Sequence, residues 1–147
     1  MFRWVAVGAL LLAIGGCTGS PPSYHGPTYT CCLAADIDRV YHPGDTLSIH
    51  WIAQGSPAPS GAEPHFELNA HLDGPFGTVT ELKGGAAPPH TLAAAPLRPT
   101  GVAGEQPVST IPIPLTAEPG SYDLVTSVAE TGSTFSGGSI IQIAAGS

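Results

Sequence analysis

His65, Glu67, Asn69 and His71 place two imidazoles and a carboxylate at alternate positions of one short stretch. On a β-strand, alternate side chains share a face and stand about 6.5–7 Å apart. At that spacing His65 and Glu67, or Glu67 and His71, share an ion only with help from a neighbouring strand. Cys31, Cys32 and His50 are the candidate helpers, and a thiolate, imidazole and carboxylate set suits copper or zinc. The competing expectation is a solvated polar face, which every half-exposed strand has. Cys31 and Cys32 are adjacent. They read as a disulfide with each other, as two free thiols, as an intermolecular bridge, or as metal ligands.

Other chemistries find less support. A reactive thiol pair is usually Cys-x-x-Cys beside a helix N-terminus, and neither feature is present. No Gly-x-Ser-x-Gly elbow occurs. Paired carboxylates for glycoside chemistry would need Asp36, Asp38 or Asp45 to face a cleft. A blue-copper site needs a Cys, His and Met cluster, whereas Met1 is the only methionine and the C-terminal strands lack Cys and His. The expectation is a protein without catalytic residues and without a cofactor.

The elements that must position these residues read as strands. Thr46–Ala53 alternates, with Leu47, Ile49 and Trp51 on one face and Thr46, Ser48 and His50 on the other. His65–Leu72 alternates again, with Phe66, Leu68, Ala70 and Leu72 inward. Ser121–Glu130 turns Tyr122, Leu124, Thr126 and Val128 inward, and Phe135–Ala144 closes the chain. Weaker strands are expected at Tyr29–Leu33, Ile37–Tyr41, Phe76–Leu82 and Val108–Leu115. The prolines at 112 and 114 mark the last of these as an edge or irregular strand. Turns are expected at His42-Pro43-Gly44-Asp45, Asp73-Gly74-Pro75, Glu118-Pro119-Gly120 and Thr131-Gly132-Ser133. Gly84–Gln106 is expected to hold at most one short edge strand. No stretch sustains a helical period. Roughly seven short strands between turn signals predict an all-β, antiparallel sandwich.

The first residues carry the strongest functional signal. Met1-Phe2-Arg3-Trp4 is a basic start, Val5–Ile14 is apolar, and Ile14-Gly15-Gly16-Cys17 closes the run. The run is shorter than the about 20 apolar residues of a spanning helix. This pattern resembles the lipobox signal peptide of bacterial lipoproteins. The resemblance implies export, cleavage before Cys17, and a diacylated or triacylated Cys17 anchoring the chain to the outer face of a membrane. Residues 1–16 are then signal peptide, 17–28 a lipidated cysteine with a Pro- and Gly-rich tether, and 29–147 the domain. Lipidation would leave Cys31 and Cys32 without a distant partner, because the chain has 3 cysteines.

Removing the signal leaves Arg39, Lys83 and Arg98 against 11 carboxylates, one charge more negative than the net −7 of the whole chain. So acidic a domain excludes nucleic acid as a partner.

Pro119-Gly120-Ser121-Tyr122-Asp123-Leu124 resembles the start of a late strand in Ig-like domains, where the tyrosine hydroxyl bonds nearby backbone. Pro43-Gly44-Asp45-Thr46-Leu47 with Trp51 is similar to their early core strand, although the Ig disulfide is absent. Leu72-Asp73-Gly74-Pro75-Phe76 is similar to an element of repeated actinobacterial surface domains. The resemblance implies an Ig-like fold and carries no active site. The expected function is a lipid-anchored, extracytoplasmic binding or structural module contacting another envelope protein or a wall component. The alternatives are a copper- or zinc-binding lipoprotein and a small enzyme.

Overall fold

The computed structural model describes residues 26–61, 63 and 65–146. Cys17, the signal segment and most of the expected tether lie outside the described residues.

The longest alternating stretches form the longest strands. β1 is Thr28–Thr30, β2 Val40–Tyr41, β3 Thr46–His50, β4 Ile52–Gln54, β5 Phe66–Phe76, β6 His90–Ala93, β7 Val108–Pro112, β8 Gly120–Glu130 and β9 Ser133–Ile143. One layer is a five-stranded sheet in the order β2-β9-β8-β5-β6. The facing layer is made of two pairs, β1-β4 and β3-β7. All pairings are antiparallel except β2 with β9, which is parallel. The fold is an all-β sandwich.

The predicted inward residues fill the space between the layers. Leu47, Ile49 and Trp51 from the smaller layer meet Leu68, Leu72, Leu124 and Ile141 from the larger, and all are buried. Ile111 and Ile113 join them from the β7 side. Leu115, expected on the same face, is 84% exposed because β7 ends at Pro112 and the chain leaves the sheet. The Tyr122 hydroxyl donates to the Glu118 carbonyl at 2.8 Å, the backbone contact that the Ig-like resemblance implies for this tyrosine.

Trp51 divides β3 from β4. Its indole Nε1–H donates to the buried Ser109 hydroxyl at 2.9 Å, and its backbone N–H donates to the Pro107 carbonyl at 3.0 Å. On one side of Trp51 the chain pairs with β7, on the other with β1. Gly44 allows the tight return before β3: its φ is +92°, left-handed backbone that side chains disfavour.

Four local expectations are corrected. In the segment read as a strand over Ile37–Tyr41, only Val40–Tyr41 is strand; Ile37 closes a helical turn, α1 (Ala34–Ile37). The segment read as a strand over Phe76–Leu82 contains helix α2 (Val79–Lys83). A capping box sets its start: the Thr78 hydroxyl accepts from Glu81 N–H while the Glu81 carboxylate accepts from Thr78 N–H. Asp73-Gly74-Pro75 is not a turn, because β5 runs on to Phe76 through a register shift against β8 that takes up the proline. The expected single domain strand at Thr46–Ala53 is two, split at Trp51. The edge strand expected within Gly84–Gln106 is present as β6.

The Trp51–Ser109 bond yields a stability prediction. Ser109→Ala strands a buried indole N–H, which costs about 1–3 kcal/mol. Urea unfolding should show a lower midpoint with an unchanged slope.

Candidate functional site

Asp36, in α1, is 6% exposed. Its two oxygens are both spent on His50: Oδ2 accepts the His50 backbone N–H at 2.9 Å, and Oδ1 lies 2.9 Å from the ring Nδ1. A carboxylate at Nδ1 assigns the proton to that nitrogen, so in the neutral ring Nε2 is the acceptor. The imidazole itself is only half-buried. α1 is held in place by the Tyr41 hydroxyl, which donates to the Asp36 carbonyl at 2.8 Å. Burial raises the Tyr41 phenol above its ordinary value, which keeps it a donor across the physiological range.

His50 stands at a groove of about 400 Å³. Leu33, Ile52 and Pro107 give apolar walls, Trp51 lies between them, and Glu105 and Gln106 form the far rim. The groove exists because β4 has a strand neighbour on one side alone among the described residues. Beyond the Trp51–Pro107 bond the incoming chain diverges through a turn, in which Glu105 N–H donates to the Val102 carbonyl at 3.2 Å. The Glu105 side chain fixes that rim by accepting from Thr100 N–H at 3.1 Å, the Thr100 hydroxyl at 3.1 Å and Gly101 N–H at 2.6 Å. Gly101 is required there: its φ is +75°, and a Cβ would come within 2.4 Å of Pro27 Cγ.

The sequence-predicted metal set is not gathered. Glu67 and His71 share the outer face of the five-stranded sheet, as the alternation demands, and His65 immediately precedes β5. Cys31 and Cys32 pack against the core side and are bonded to each other as a disulfide. The sheet therefore separates the cysteines from the histidines. Glu67 is already engaged: Arg98 donates to its Oε2 from Nη2 at 2.7 Å and Nε at 3.0 Å, and Asn69 donates to Oε1 at 3.3 Å. These hydrogen bonds, Arg98 foremost, hold its carboxyl below the usual range. His71 instead has Nε2 3.4 Å from Asp73 Oδ2. Among the described residues no three His, Cys, Asp or Glu side chains converge as a metal site.

Asp73 and Asp123 face each other across β5 and β8. Burial, then the neighbouring Asp73 charge, raise the Asp123 carboxyl above the usual value, while His71 opposes the shift. Sequence reading assigned no role to this pair, nor to the Asp36–His50 pair, whose partners lie 14 residues apart.

No protein-family model matches the chain, and no curated protein matches it. Among solved structures the chain is similar to the sporulation control protein Spo0M of Bacillus subtilis, at 18% sequence identity with a TM-score of 0.42. The likeness covers 82% of this chain and 50% of that one, so this chain spans about half the length of that structure.

The Asp73–Asp123 pair gives a pH prediction. A carboxyl with a raised folded-state pKa binds more protons folded than unfolded, so its contribution to stability grows as pH falls through that window. At neutral pH the ionised pair is a cost. Asp123→Asn should stabilise the protein at pH 7 by about 0.2–1 kcal/mol, the range for cross-strand pairs. The gain should shrink on acidification. Urea midpoints of both proteins across pH 4–8 check it, and a constant difference would refute it.

Proposed function

We propose that this protein is a binding module of the bacterial cell envelope, anchored at the extracytoplasmic face of the membrane by lipid on Cys17. Its recognition surface is the groove beside β4. The observation that carries the reading is the Asp36–His50 pair. A buried carboxylate is committed with both oxygens to one half-exposed imidazole. Burying that charge costs free energy, and what it achieves is a ring with a fixed tautomer at the mouth of an apolar groove.

The ligand is an extended segment of another envelope protein. β4 has no strand neighbour on the groove side among the described residues, and Ala53 lines the groove there, which suits strand addition. Leu33 and Ile52, at 44% and 36% exposure, supply apolar contacts, and His50 Nε2 accepts one hydrogen bond. The tether ending at β1 holds the groove away from the bilayer, which suits a partner that also stands off the membrane.

Two measurements test this. Cys17→Ser should move the protein from the membrane to the soluble fraction; a chain that stays membrane-bound would refute the anchor. A photoreactive residue replacing Ile52 should crosslink, in native membranes, to a partner of one discrete mass, whereas the same residue at Val79 on α2 should not. His50→Ala should weaken that capture about tenfold, equal to about 1.4 kcal/mol. Equal crosslinking from both positions, or indifference to His50→Ala, would refute the groove.

A further inference from the structure

The five-stranded sheet is closed unevenly. β9 pairs along its whole length with β8, but on its other side β2 covers Gln142 and Ile143 alone. From Ser133 to Ser139 that edge has no strand partner among the described residues, a length of about 20 Å. The inward face at this end is also uncovered. Register pairs Phe135 with Val128 and Gly137 with Thr126, whose side chains point to the core side. Yet Phe135 is 67% exposed. It borders a notch of about 190 Å³ between the layers, walled by Tyr29, Cys31, Trp51 and Val128. A Cβ added at Gly137 would meet only Thr126 Oγ1, at 3.6 Å, so the glycine leaves room beside the phenylalanine.

The edges of β1, β6 and β7 are guarded. β7 holds Pro112 with Pro107 and Pro114 nearby, β6 lies between Pro88-Pro89 and Pro96, and β1 follows Pro27. Prolines of this kind block strand addition. β9 has none, and no charged residue occurs from Thr131 to the end of the chain.

We propose that this half of β9 is a homodimer interface. Two copies pair antiparallel along Ser133–Ser139 in one continuous sheet, and each Phe135 covers the other copy's notch beside Gly137. The occupant is argued from charge and shape. On a chain of net charge −7, an uncharged edge gives a cationic or anionic peptide nothing to pair with. Antiparallel self-pairing places no like charges opposite one another. It also makes the interface isologous, so one exposed aromatic ring and one vacancy per copy satisfy each other. The proposal is independent of the β4 groove, which lies on the other layer.

The test uses the full chain purified from membranes, with Phe135 replaced by photoreactive p-benzoylphenylalanine. Irradiation should give a product of twice the chain mass, and its peptides should join position 135 of one differently tagged copy to the Tyr29–Cys31 or Thr126–Gly137 region of the other. In sedimentation, Phe135→Glu should weaken self-association at least tenfold while Phe135→Leu keeps it. Phe135→Glu should leave the urea midpoint of the monomer unchanged, because the ring is exposed there. A chain that is monomeric at every concentration would overturn the proposal, as would a dimer indifferent to Phe135→Glu. A crosslink within one copy to residues 17–25 would overturn it too and assign the edge to that segment.

Discussion

Trp51 is the residue on which the rest of the molecule turns. Its ring fills the space between the layers, its indole N–H is satisfied by Ser109, and its backbone N–H ties the chain to Pro107. A buried indole demands a hydrogen-bond acceptor, and Ser109 on β7 is positioned to supply it because β3 and β7 pair from Thr46 to His50. Once that bond is made, the chain has no reason to continue beside β7. It passes to β1, and the divergence opens the groove on one side of Trp51. The same ring walls the notch under Phe135 on the other. The groove and the notch are both consequences of one core side chain at a change of strand partner.

The large-scale architecture was legible because burial imposes a period of two. Leu47, Ile49, Leu68, Leu72, Leu124 and Ile141 all fall where alternation puts them, since a one-residue slip would expose every one. Local chemistry was less legible where it competed with that pattern. Thr78 and Glu81 carry a capping box readable from spacing alone, yet Val79 and Leu82 made the same stretch read as strand. Pro75 reads as a turn, but a register shift lets β5 carry it past β8. The Asp36–His50 pair left no periodic trace. It joins a helical turn that falls between two expected strands to the outer face of β3, and only the packing of α1 onto β3 brings the two together.

The same alternation explains why the expected metal set disperses. Odd-numbered residues of β5 share the outer face, which places Glu67 and His71 together, with His65 immediately before the strand. The step that failed was recruitment of the cysteines, because a core-packed Cys31–Cys32 pair cannot reach through a sheet. Arg98 then takes the vacant role of partner to Glu67. With Arg39, Lys83 and Arg98 the sole cations in the described region, a carboxylate on this surface is either assigned one of them or left beside another carboxylate, as Asp123 is beside Asp73.

That scarcity of positive charge bears on how the sheet edges are protected. Lysine is a common device against unwanted strand addition, and this chain has one, on α2. Proline serves instead at β1, β6 and β7. β9 carries no proline: alternate residues bond β8, and the residues between them point their N–H and C=O groups to the open edge. β9 therefore keeps its backbone groups, its small side chains and its lack of charge. Those three properties make an edge addressable by another strand. On an acidic molecule their longest joint run among the described residues is Ser133–Ser139, which is why that edge reads as a surface to be covered rather than a defect left by an incomplete sheet.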